Sequence, residues 1–296
     1  MASKDRKIGF VGVGLMGHGL VKNLLGGGYA VTFLDHPGNR PTDDLMAKGA
    51  TPVPTLKDVA DSGDVIFLCV TGSPEVRAVV MGEDNDGGLA AHLGADHIVC
   101  DCSTAIPDET LDMAKRVQET GARFLDVPMT RTPKEAEEGR LNIMVGGDGD
   151  ILEIVRPMLA CYGENIYHAG PVSAGHRMKL LHNYISLGFS ALMAEAVVAA
   201  RKGGIDMATF LDVMETGGGK GVVFDRLKPY IESGDVGAFN FSISNSAKDL
   251  GYYTDMAAAL DAPHGCADAV RALYDGAVKQ GKGAEPVPRV MDILDT

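Results

Sequence analysis

The chain has few cysteines and no excess of basic residues, and both shortages exclude classes of protein. It contains 5 cysteines in 296 residues, an odd and scattered set without the spacing of a disulfide framework or a zinc site. The 27 lysine and arginine residues are outnumbered by 40 aspartate and glutamate residues. The net charge of −13 makes nucleic acid and anionic membranes poor partners. No group of histidines and carboxylates has metal-ligand spacing, so we expect no metal.

The sequence contains no internal repeat and no low-complexity segment, and we expect no apolar leader segment. Residues 1–7 are polar and charged and run straight into an apolar strand, so we expect a cytoplasmic protein. The longest apolar stretch, residues 180–200, is interrupted by His182, Asn183 and Glu195. We therefore expect a buried helix that links two domains rather than a membrane span.

A glycine-rich turn follows the first predicted strand, residues 7–11. The run Gly12-Val13-Gly14-Leu15-Met16-Gly17 has the G-x-G-x-x-G spacing of a dinucleotide-binding turn. We expect Gly12 to make the tight turn, Gly14 to let the backbone approach a pyrophosphate, and Gly17 to allow close packing of the next helix. Together with Leu15 and Met16, these glycines would hold the cofactor at the helix N-terminus, where backbone amides bind anions.

A second predicted strand, residues 29–34, ends at Asp35, which is 18 residues beyond the last glycine. A carboxylate at this place accepts hydrogen bonds from the ribose hydroxyls and repels a 2′-phosphate. NAD is therefore expected as cofactor and NADP is less expected, although Arg40 weakens this preference. An isolated G-x-G-x-x-G can be only a turn. Here a predicted strand precedes it, a helix and a second strand follow it, and that strand ends at an acidic residue, which together favour a dinucleotide-binding unit.

The pattern of apolar residues changes once along the chain. Further strand-like runs occur at 65–69, 97–100, 124–127, 141–145 and 165–167, in the alternation with helices that a parallel sheet requires. After Gly170-Pro171 the spacing is helical, over 173–202, 206–216, 221–233, 245–260 and 264–280. We therefore predict an α/β Rossmann-type domain over residues 1–171, followed by an all-α domain over residues 172–296 that is joined through a long interdomain helix.

Five short motifs occur in one order along the chain. They are Gly12–Gly17, Asp101–Pro107, Asp126–Pro128, Gly175–Asn183 and Lys248-Asp249. In this order and spacing the chain resembles the β-hydroxyacid dehydrogenase family, which includes 3-hydroxyisobutyrate dehydrogenase, over nearly its whole length. The resemblance implies an NAD-dependent dehydrogenase or reductase that acts on a CH–OH group.

The resemblance also implies a role for each of several residues. Lys179 would be the catalytic acid or base, because oxidising an alcohol requires a proton to leave the hydroxyl while hydride leaves the carbon. Asn183, one helical turn further on, would orient the same hydroxyl. Ser103 would lie beside the nicotinamide and the acid group of the substrate, Thr104 would bind the cofactor, and Lys248 would bind both substrate and cofactor. Outside such a motif, a lone lysine is more often an exposed surface residue.

At one turn the chain departs from the family. Where relatives usually have Ser-Gly-Gly, this chain has Thr130-Arg131-Thr132, and we expect these three residues to bind the acid group of the substrate. The planar guanidinium of an arginine suits a sulfonate or a distal carboxylate. The change resembles the 3-sulfolactaldehyde reductase branch of the family. The alternative is that Arg131 points into solvent or pairs with Glu135.

These features predict an NAD(H)-dependent oxidoreductase that acts on a short hydroxy acid or its semialdehyde, in the manner of a 3-sulfolactaldehyde or succinic semialdehyde reductase. The alternatives are a dehydrogenase of 3-hydroxyisobutyrate or of a serine-type β-hydroxy acid and, in a different class, a dinucleotide-binding module without catalysis. The partner would be a small anionic substrate, either a carboxylate or a sulfonate. The long apolar helix would support a homodimer or homotetramer.

Overall fold

The computed structural model describes residues 5–82 and 88–295, and these form two compact units. The first unit ends at Lys179 and the second begins at Leu180. Most of the polar segment 1–7, on which the expected location of the protein was based, lies outside the described residues.

Within the described residues, the first unit contains one nine-stranded sheet and seven α-helices that lie wholly inside it. Its strands are β1 (Ile8–Val11), β2 (Val31–Leu34), β3 (Thr51–Val53), β4 (Val65–Leu68), β5 (Ile98–Asp101), β6 (Arg123–Asp126), β7 (Met129–Thr130), β8 (Leu141–Gly146) and β9 (Gly163–Gly170). Its helices are α1 (Gly17–Gly26), α2 (Asp43–Met46), α3 (Leu56–Ser62), α4 (Ser73–Met81), α5 (Pro107–Gln118), α6 (Pro133–Glu138) and α7 (Gly149–Leu159).

The sheet has the order β3-β2-β1-β4-β5-β6-β8-β7, and β9 pairs with β8. All neighbours from β3 to β6 are parallel, and β1, β4 and β5 are buried at every residue, as strands are when helices cover both faces. The strand order reverses between β1 and β4, which is where sheets of this kind bind ligands beyond the carboxyl ends of their strands. The predicted Rossmann-type architecture is confirmed.

The sheet is not parallel throughout, and this corrects the sequence prediction. The strands predicted at 141–145 and 165–167 are present as β8 and β9, but β8 runs antiparallel to β6. The chain between β6 and β8 holds only the two-residue β7 and the six-residue α6, which is too little to cross back over the sheet for parallel pairing. The prediction also missed β3 and β7, because strands of three and two residues leave no apolar pattern.

Helix α5 shows how the local sequence sets the bounds of a helix. Pro107 occupies its first turn, where the missing N–H has no helical partner to lose. Acidic residues follow in the first turn and basic residues occupy the last, which complements the helix dipole. Met113, Ala114 and Val117 form one buried face that packs on the sheet.

Helix α8 (Ala174–Lys202) begins in the first unit and continues into the second. The second unit also contains α9 (Met207–Thr216), α10 (Val222–Ser233), α11 (Ile243–Ala259), α12 (Gly265–Lys279) and α13 (Val290–Leu294). The five helical stretches predicted after residue 172 are confirmed to within two residues at each end. The domain boundary predicted between residues 171 and 172 lies just before α8, and it stays a prediction.

The second unit has its own apolar core, which includes the fully buried side chains of Val197, Phe224, Leu250 and Tyr274. Among the described residues, α8 is the one helix that is long and apolar enough to cross a membrane. Half of its most apolar stretch is buried within the protein, as is ordinary for a core helix.

Candidate functional site

The glycine-rich turn between β1 and α1 has a backbone that only glycine accommodates at two places. Gly12 has a φ of +96°, and a Cβ there would overlap the carbonyl oxygen of Cys69. A Cβ at Gly17 would overlap the carbonyl oxygen of Gly12, so α1 starts directly against the turn. Gly14, by contrast, has no atom within 4 Å of a Cβ position. The turn therefore leaves open backbone at Gly14, where a pyrophosphate could approach.

The loop after β2 holds this turn in place. The backbone N–H of Val13 donates to the side-chain oxygen of Asn39 at 3.1 Å, and the N–H of Arg40 donates to the carbonyl of Val13 at 2.9 Å. The Asn39 amide also donates to the carbonyl of Leu34 at 2.9 Å. Asp35 and Arg40 are both exposed on this loop. Asn39 was not among the predicted site residues, because nothing in the local sequence around it indicates a partner in the glycine turn.

Ser103 is buried just beyond β5, and its backbone and hydroxyl all have partners. Its N–H donates to Asp101 Oδ1 at 2.9 Å, its carbonyl bonds to His176 Nε2 at 3.1 Å, and its hydroxyl oxygen accepts from the N–H of Val70 at 3.1 Å. The side chain of Ser103 also stabilises the Asp101 carboxylate. Thr104, next to it, is half-buried.

Lys179 lies in the early part of α8, and its ammonium contacts the loop after β6. Nζ donates to the carbonyl oxygen of Met129 at 2.8 Å. Met129 begins β7 and directly precedes Thr130, so the lysine is placed at the turn where the sequence departs from its relatives. An ammonium in this position can donate or, once deprotonated, accept a proton.

Thr130 is buried and is held by a chain of amides across β8 and β9. Its hydroxyl oxygen accepts from the Asn142 amide at 3.2 Å, and the Asn142 oxygen accepts from the Asn165 amide at 2.9 Å. A hydroxyl that accepts one hydrogen bond still carries a proton that it can donate.

The structure gives the side chains of Arg131 and Thr132 other partners than the expected acid group. The Arg131 guanidinium donates to Glu164 and to the carbonyl oxygen of Arg140. Glu135, the alternative partner considered for Arg131, forms a reciprocal capping box with Thr132 at the start of α6. Arg131 also has a φ of +85°, a conformation that glycine adopts readily and other residues rarely do. The turn thus keeps a backbone suited to the family's glycine.

In the second unit, the predicted residues Asn183 and Lys248 meet at one carboxylate. The Asn183 amide donates to Asp249 Oδ2 at 2.6 Å, and its oxygen lies 3.0 Å from His182 Nδ1. Lys248 Nζ lies 3.4 Å from Asp249 Oδ1 and 5.4 Å from the centre of the Tyr252 ring. Asp249 is buried, and it orients the Asn183 amide. Asp249 belongs to the Lys248-Asp249 motif, but the local sequence does not indicate this contact.

The three cysteines at the carboxyl ends of β4 and β5 are not reactive groups. Burial raises the pKa of Cys69 to about 12, and burial also raises the pKa values of Cys100 and Cys102. All three thiols therefore stay protonated at neutral pH. Within residues 5–82 and 88–295, no group of three or more histidine, cysteine or acidic side chains is arranged to hold a metal ion.

Two family models match the chain in succession. The first is described as the NAD binding domain of 6-phosphogluconate dehydrogenase and matches residues 7–170. The second is described as NAD-binding of NADP-dependent 3-hydroxyisobutyrate dehydrogenase and matches residues 173–292. Between them they span most of the chain.

Several known proteins are similar to the chain over almost its whole length. The 2-(hydroxymethyl)glutarate dehydrogenase of Eubacterium barkeri is 30% identical, over 99% of this chain and 96% of that protein. The 3-sulfolactaldehyde reductase of Escherichia coli is 31% identical, over 96% of this chain and 94% of that protein. The solved structure of Mycobacterium tuberculosis 3-hydroxyisobutyrate dehydrogenase with L-serine has a TM-score of 0.86 and 25% identity, and covers 98% of this chain and 99% of that one.

The contacts of Arg131 lead to a stability prediction with two variants. Arg131→Ala removes the ion pair with Glu164 and leaves a strained backbone, whereas Arg131→Gly removes the same ion pair and relieves the strain. We expect the glycine variant to be more stable than the alanine variant by about 1 kcal/mol, the cost of a left-handed conformation for a residue with a Cβ. Calorimetry of the thermal unfolding of both variants measures this difference.

Glu164→Gln is the matched control, because it removes the ion pair and leaves the residue at position 131 unchanged. Since both side chains are partly exposed, this variant should lose about 1 kcal/mol or less. An alanine variant as stable as the glycine variant would mean that the backbone at position 131 is not strained.

Proposed function

Because the chain belongs to the β-hydroxyacid dehydrogenase family, which includes 3-hydroxyisobutyrate dehydrogenase, we propose that it reduces a short aldehyde bearing an acid group, such as 3-sulfolactaldehyde or succinic semialdehyde, with NADH. The predicted family and reaction class are confirmed: the chain is an oxidoreductase that uses a nicotinamide dinucleotide and acts on a CH–OH group. The position of the Lys179 ammonium at the carbonyl of Met129 is the observation that carries the proposed mechanism.

The cofactor would lie along the glycine turn. The open backbone at Gly14 and the close approach of α1 at Gly17 fit a dinucleotide pyrophosphate, and α1 has no acidic residue in its first turn to oppose it. When bound, the nicotinamide supplies or accepts hydride. The exposed carboxylate of Asp35 would accept hydrogen bonds from the ribose and favour NAD over NADP, while Arg40, exposed on the same loop, would moderate that preference.

Lys179 would transfer the proton. In the reductive direction its ammonium donates a proton to the oxygen of the aldehyde as that carbon gains hydride, and in the oxidative direction the neutral amine removes the proton from the hydroxyl. Asn183 follows one turn later on α8 and would orient the same oxygen, with its amide held by Asp249. Lys248 remains a predicted ligand of substrate and cofactor.

The acid group of the substrate would be bound by hydroxyls rather than by a guanidinium. The hydroxyl of Thr130 accepts from Asn142 and can also donate its proton, and the hydroxyl of Ser103 carries one proton that either Asp101 or an incoming acid can accept. Carboxylates and sulfonates are acceptors only, so both fit donors of this kind. Arg131 and Thr132 would act on the acid group indirectly, through the shape of the turn.

A second candidate function is oxidation of 3-hydroxyisobutyrate or a serine-type β-hydroxy acid. The contact between Arg131 and Glu164 favours it, because the guanidinium that would select a sulfonate is already paired. The relative solved with L-serine gives the same candidate further support.

One kinetic panel separates these candidates. NADH consumption is measured with 3-sulfolactaldehyde, succinic semialdehyde and methylmalonate semialdehyde, and NAD reduction with 3-hydroxyisobutyrate and serine. We expect the highest kcat/KM with one of the first two aldehydes. A highest value with 3-hydroxyisobutyrate or serine would replace the proposal with the second candidate, and dinucleotide binding without turnover on the panel would indicate a non-catalytic module.

The assembly state is proposed separately. The second-unit part of α8 exposes Leu181, Ile185 and Leu192, and the spacing of four and seven residues places them on one face. We propose that this apolar face joins copies of the chain in a homodimer or homotetramer, which light scattering on the eluting protein would measure as a mass of two or four chains.

Replacing the proton-transfer residue gives the sharpest test of the mechanism. Lys179→Ala should lower kcat by at least about a hundredfold, the low end for a general acid or base, with nearly unchanged affinity for NADH. Steady-state kinetics and NADH fluorescence titration measure the two quantities. The matched control is Lys202→Ala at the other end of α8, whose side chain is exposed and paired with Asp295, and it should keep normal turnover. Near-normal turnover of Lys179→Ala would exclude this lysine as the proton-transfer group.

Cofactor choice tests the loop after β2. We expect the wild-type protein to prefer NADH. Asp35→Ser should lower the ratio of kcat/KM for NADH to kcat/KM for NADPH by about tenfold or more, because a hydrogen bond to a charged group is worth about 1.5 kcal/mol or more. Adding Arg40→Ala to that variant should reduce its use of NADPH. Asp43→Ser, which changes an exposed carboxylate in α2, is the control. A wild-type preference for NADPH would contradict the role given to Asp35.

A further inference from the structure

The side chain of Asn39, in the loop after β2, joins the end of β2 to the glycine turn. Its oxygen accepts from the N–H of Val13 at 3.1 Å, and its amide donates to the carbonyl of Leu34 at 2.9 Å. A backbone N–H can only donate and a backbone carbonyl can only accept, so these two partners fix which end of the amide faces which group. An aspartate of the same shape would have no N–H to donate to Leu34.

The same loop also bonds to the other side of Val13. The N–H of Arg40 donates to the Val13 carbonyl at 2.9 Å, so both peptide groups that flank Val13 are bonded to the loop. A trans peptide group is planar, and its N–H points opposite to its carbonyl. The N–H of Gly14, which shares a peptide group with the Val13 carbonyl, therefore points away from the loop.

Helix α1 orients the next peptide group. The Gly14 carbonyl accepts from the N–H of His18 at 3.1 Å, so the N–H of Leu15 points out of the N-terminal end of the helix. Among the residues that the structure describes, the N–H groups of Gly14, Leu15 and Met16 donate to no protein atom. Free N–H groups at such a place bind an anion well when they point to one common position.

The local sequence alone does not hold the turn in this shape. Val13 lies between Gly12 and Gly14, and glycine accepts many backbone conformations because it has no Cβ. Gly12 already has a φ of +96°. The direction of the peptide groups on either side of Val13 therefore depends on contacts from outside the turn, and the loop after β2 supplies them through Asn39 and Arg40.

We propose that Asn39 is a positioning residue for the cofactor, which sets the glycine turn so that its free N–H groups face the pyrophosphate before the dinucleotide binds. A turn that is ordered beforehand does not have to be ordered on binding, and this raises affinity. The inference rests on the proposed function for the place of the pyrophosphate. It gives Asn39 no part in hydride or proton transfer.

The first experiment compares two ligands that differ in the pyrophosphate. The affinities of ADP and adenosine are measured by competition with NADH in a fluorescence titration. Asn39→Ala should raise the dissociation constant for ADP by roughly tenfold, the scale of one or two hydrogen bonds, and that for adenosine by less than about twofold. Asn39→Ser, whose hydroxyl is too short to reach both Val13 and Leu34, should give a loss of the same kind.

A merely structural role of Asn39 would give a different result. General distortion of the loop after β2 would also disturb Asp35, the proposed ribose ligand, and would weaken ADP and adenosine alike. Equal losses for the two ligands, or no loss for ADP, would overturn the proposal.

Steady-state kinetics give a second measurement on the same variant. Asn39→Ala should raise the KM for NADH by roughly tenfold and change kcat at saturating NADH by less than about twofold, because the bound cofactor reacts as before. A lower kcat with an unchanged KM would contradict a role in cofactor binding.

Gly14→Ala tests the place of the pyrophosphate separately. A Cβ at Gly14 would meet no protein atom, and the backbone there is not left-handed, so this variant should fold normally while its methyl group occupies the place proposed for the pyrophosphate. It should bind ADP more weakly and adenosine normally. Normal binding of ADP by Gly14→Ala would overturn the proposed cofactor site and this inference with it. Weaker binding by Gly14→Ala together with normal binding by Asn39→Ala would overturn the inference alone.

The matched control is Asn23→Ala. The Asn23 amide donates to the carbonyl oxygens of Gly19 and Ala136, both at 2.8 Å, and so joins α1 to α6 without contacting the glycine turn. This variant loses hydrogen bonds of the same kind in the same unit, and it should change the dissociation constant for ADP by less than about twofold. A loss of ADP affinity as large as that of Asn39→Ala would show that the effect is general destabilisation, and would overturn the positioning role.

Discussion

The candidate site in the first unit depends on how the start of α8 is fastened to the sheet. Asp126, buried at the end of β6, accepts hydrogen bonds from the backbone amides of Ser173 at 2.7 Å and His176 at 2.8 Å. These amides belong to the end of the helix that has no partners within the helix itself. Gly175 allows the contact, because a Cβ there would lie 2.8 Å from Asp126 Oδ2. Lys179 follows about one turn later, so a single carboxylate on β6 sets the place of the proposed proton-transfer group.

The turn of residues 130–132 is held by a separate set of contacts, and each residue has its own. Thr130 is tied to β8 and β9 through amides, Arg131 to Glu164, and Thr132 to the capping box of α6. Glycines would leave such a turn mobile, whereas here side chains restrain it although Arg131 has a left-handed backbone. Selection of the substrate at this turn is therefore expected to depend on its shape and on hydroxyl donors more than on an added positive charge.

Binding a small anion to a protein of net charge −13 requires positive groups near the site. The first unit supplies them from the helices: the amides at the start of α1 and the ammonium of Lys179. Asp101 and Asp126 are the buried acids of the same region, and backbone amides donate hydrogen bonds to both carboxylates. The overall charge of the chain thus says little about the local potential at the site.

The sequence by itself determined those features that depend on neighbours along the chain. The glycine turn, the order of strands and helices and the change to helical spacing after residue 171 are local patterns, and the motifs around Ser103 and Lys179 were sufficient for the family and the reaction class. The tertiary structure alone decided the direction of β8, the contact of Asn39 with Val13 and the pairing of Arg131 with Glu164, which lies 33 residues further along. Those partners are far apart in sequence and meet only when the sheet forms, so no periodicity or local spacing could have indicated them.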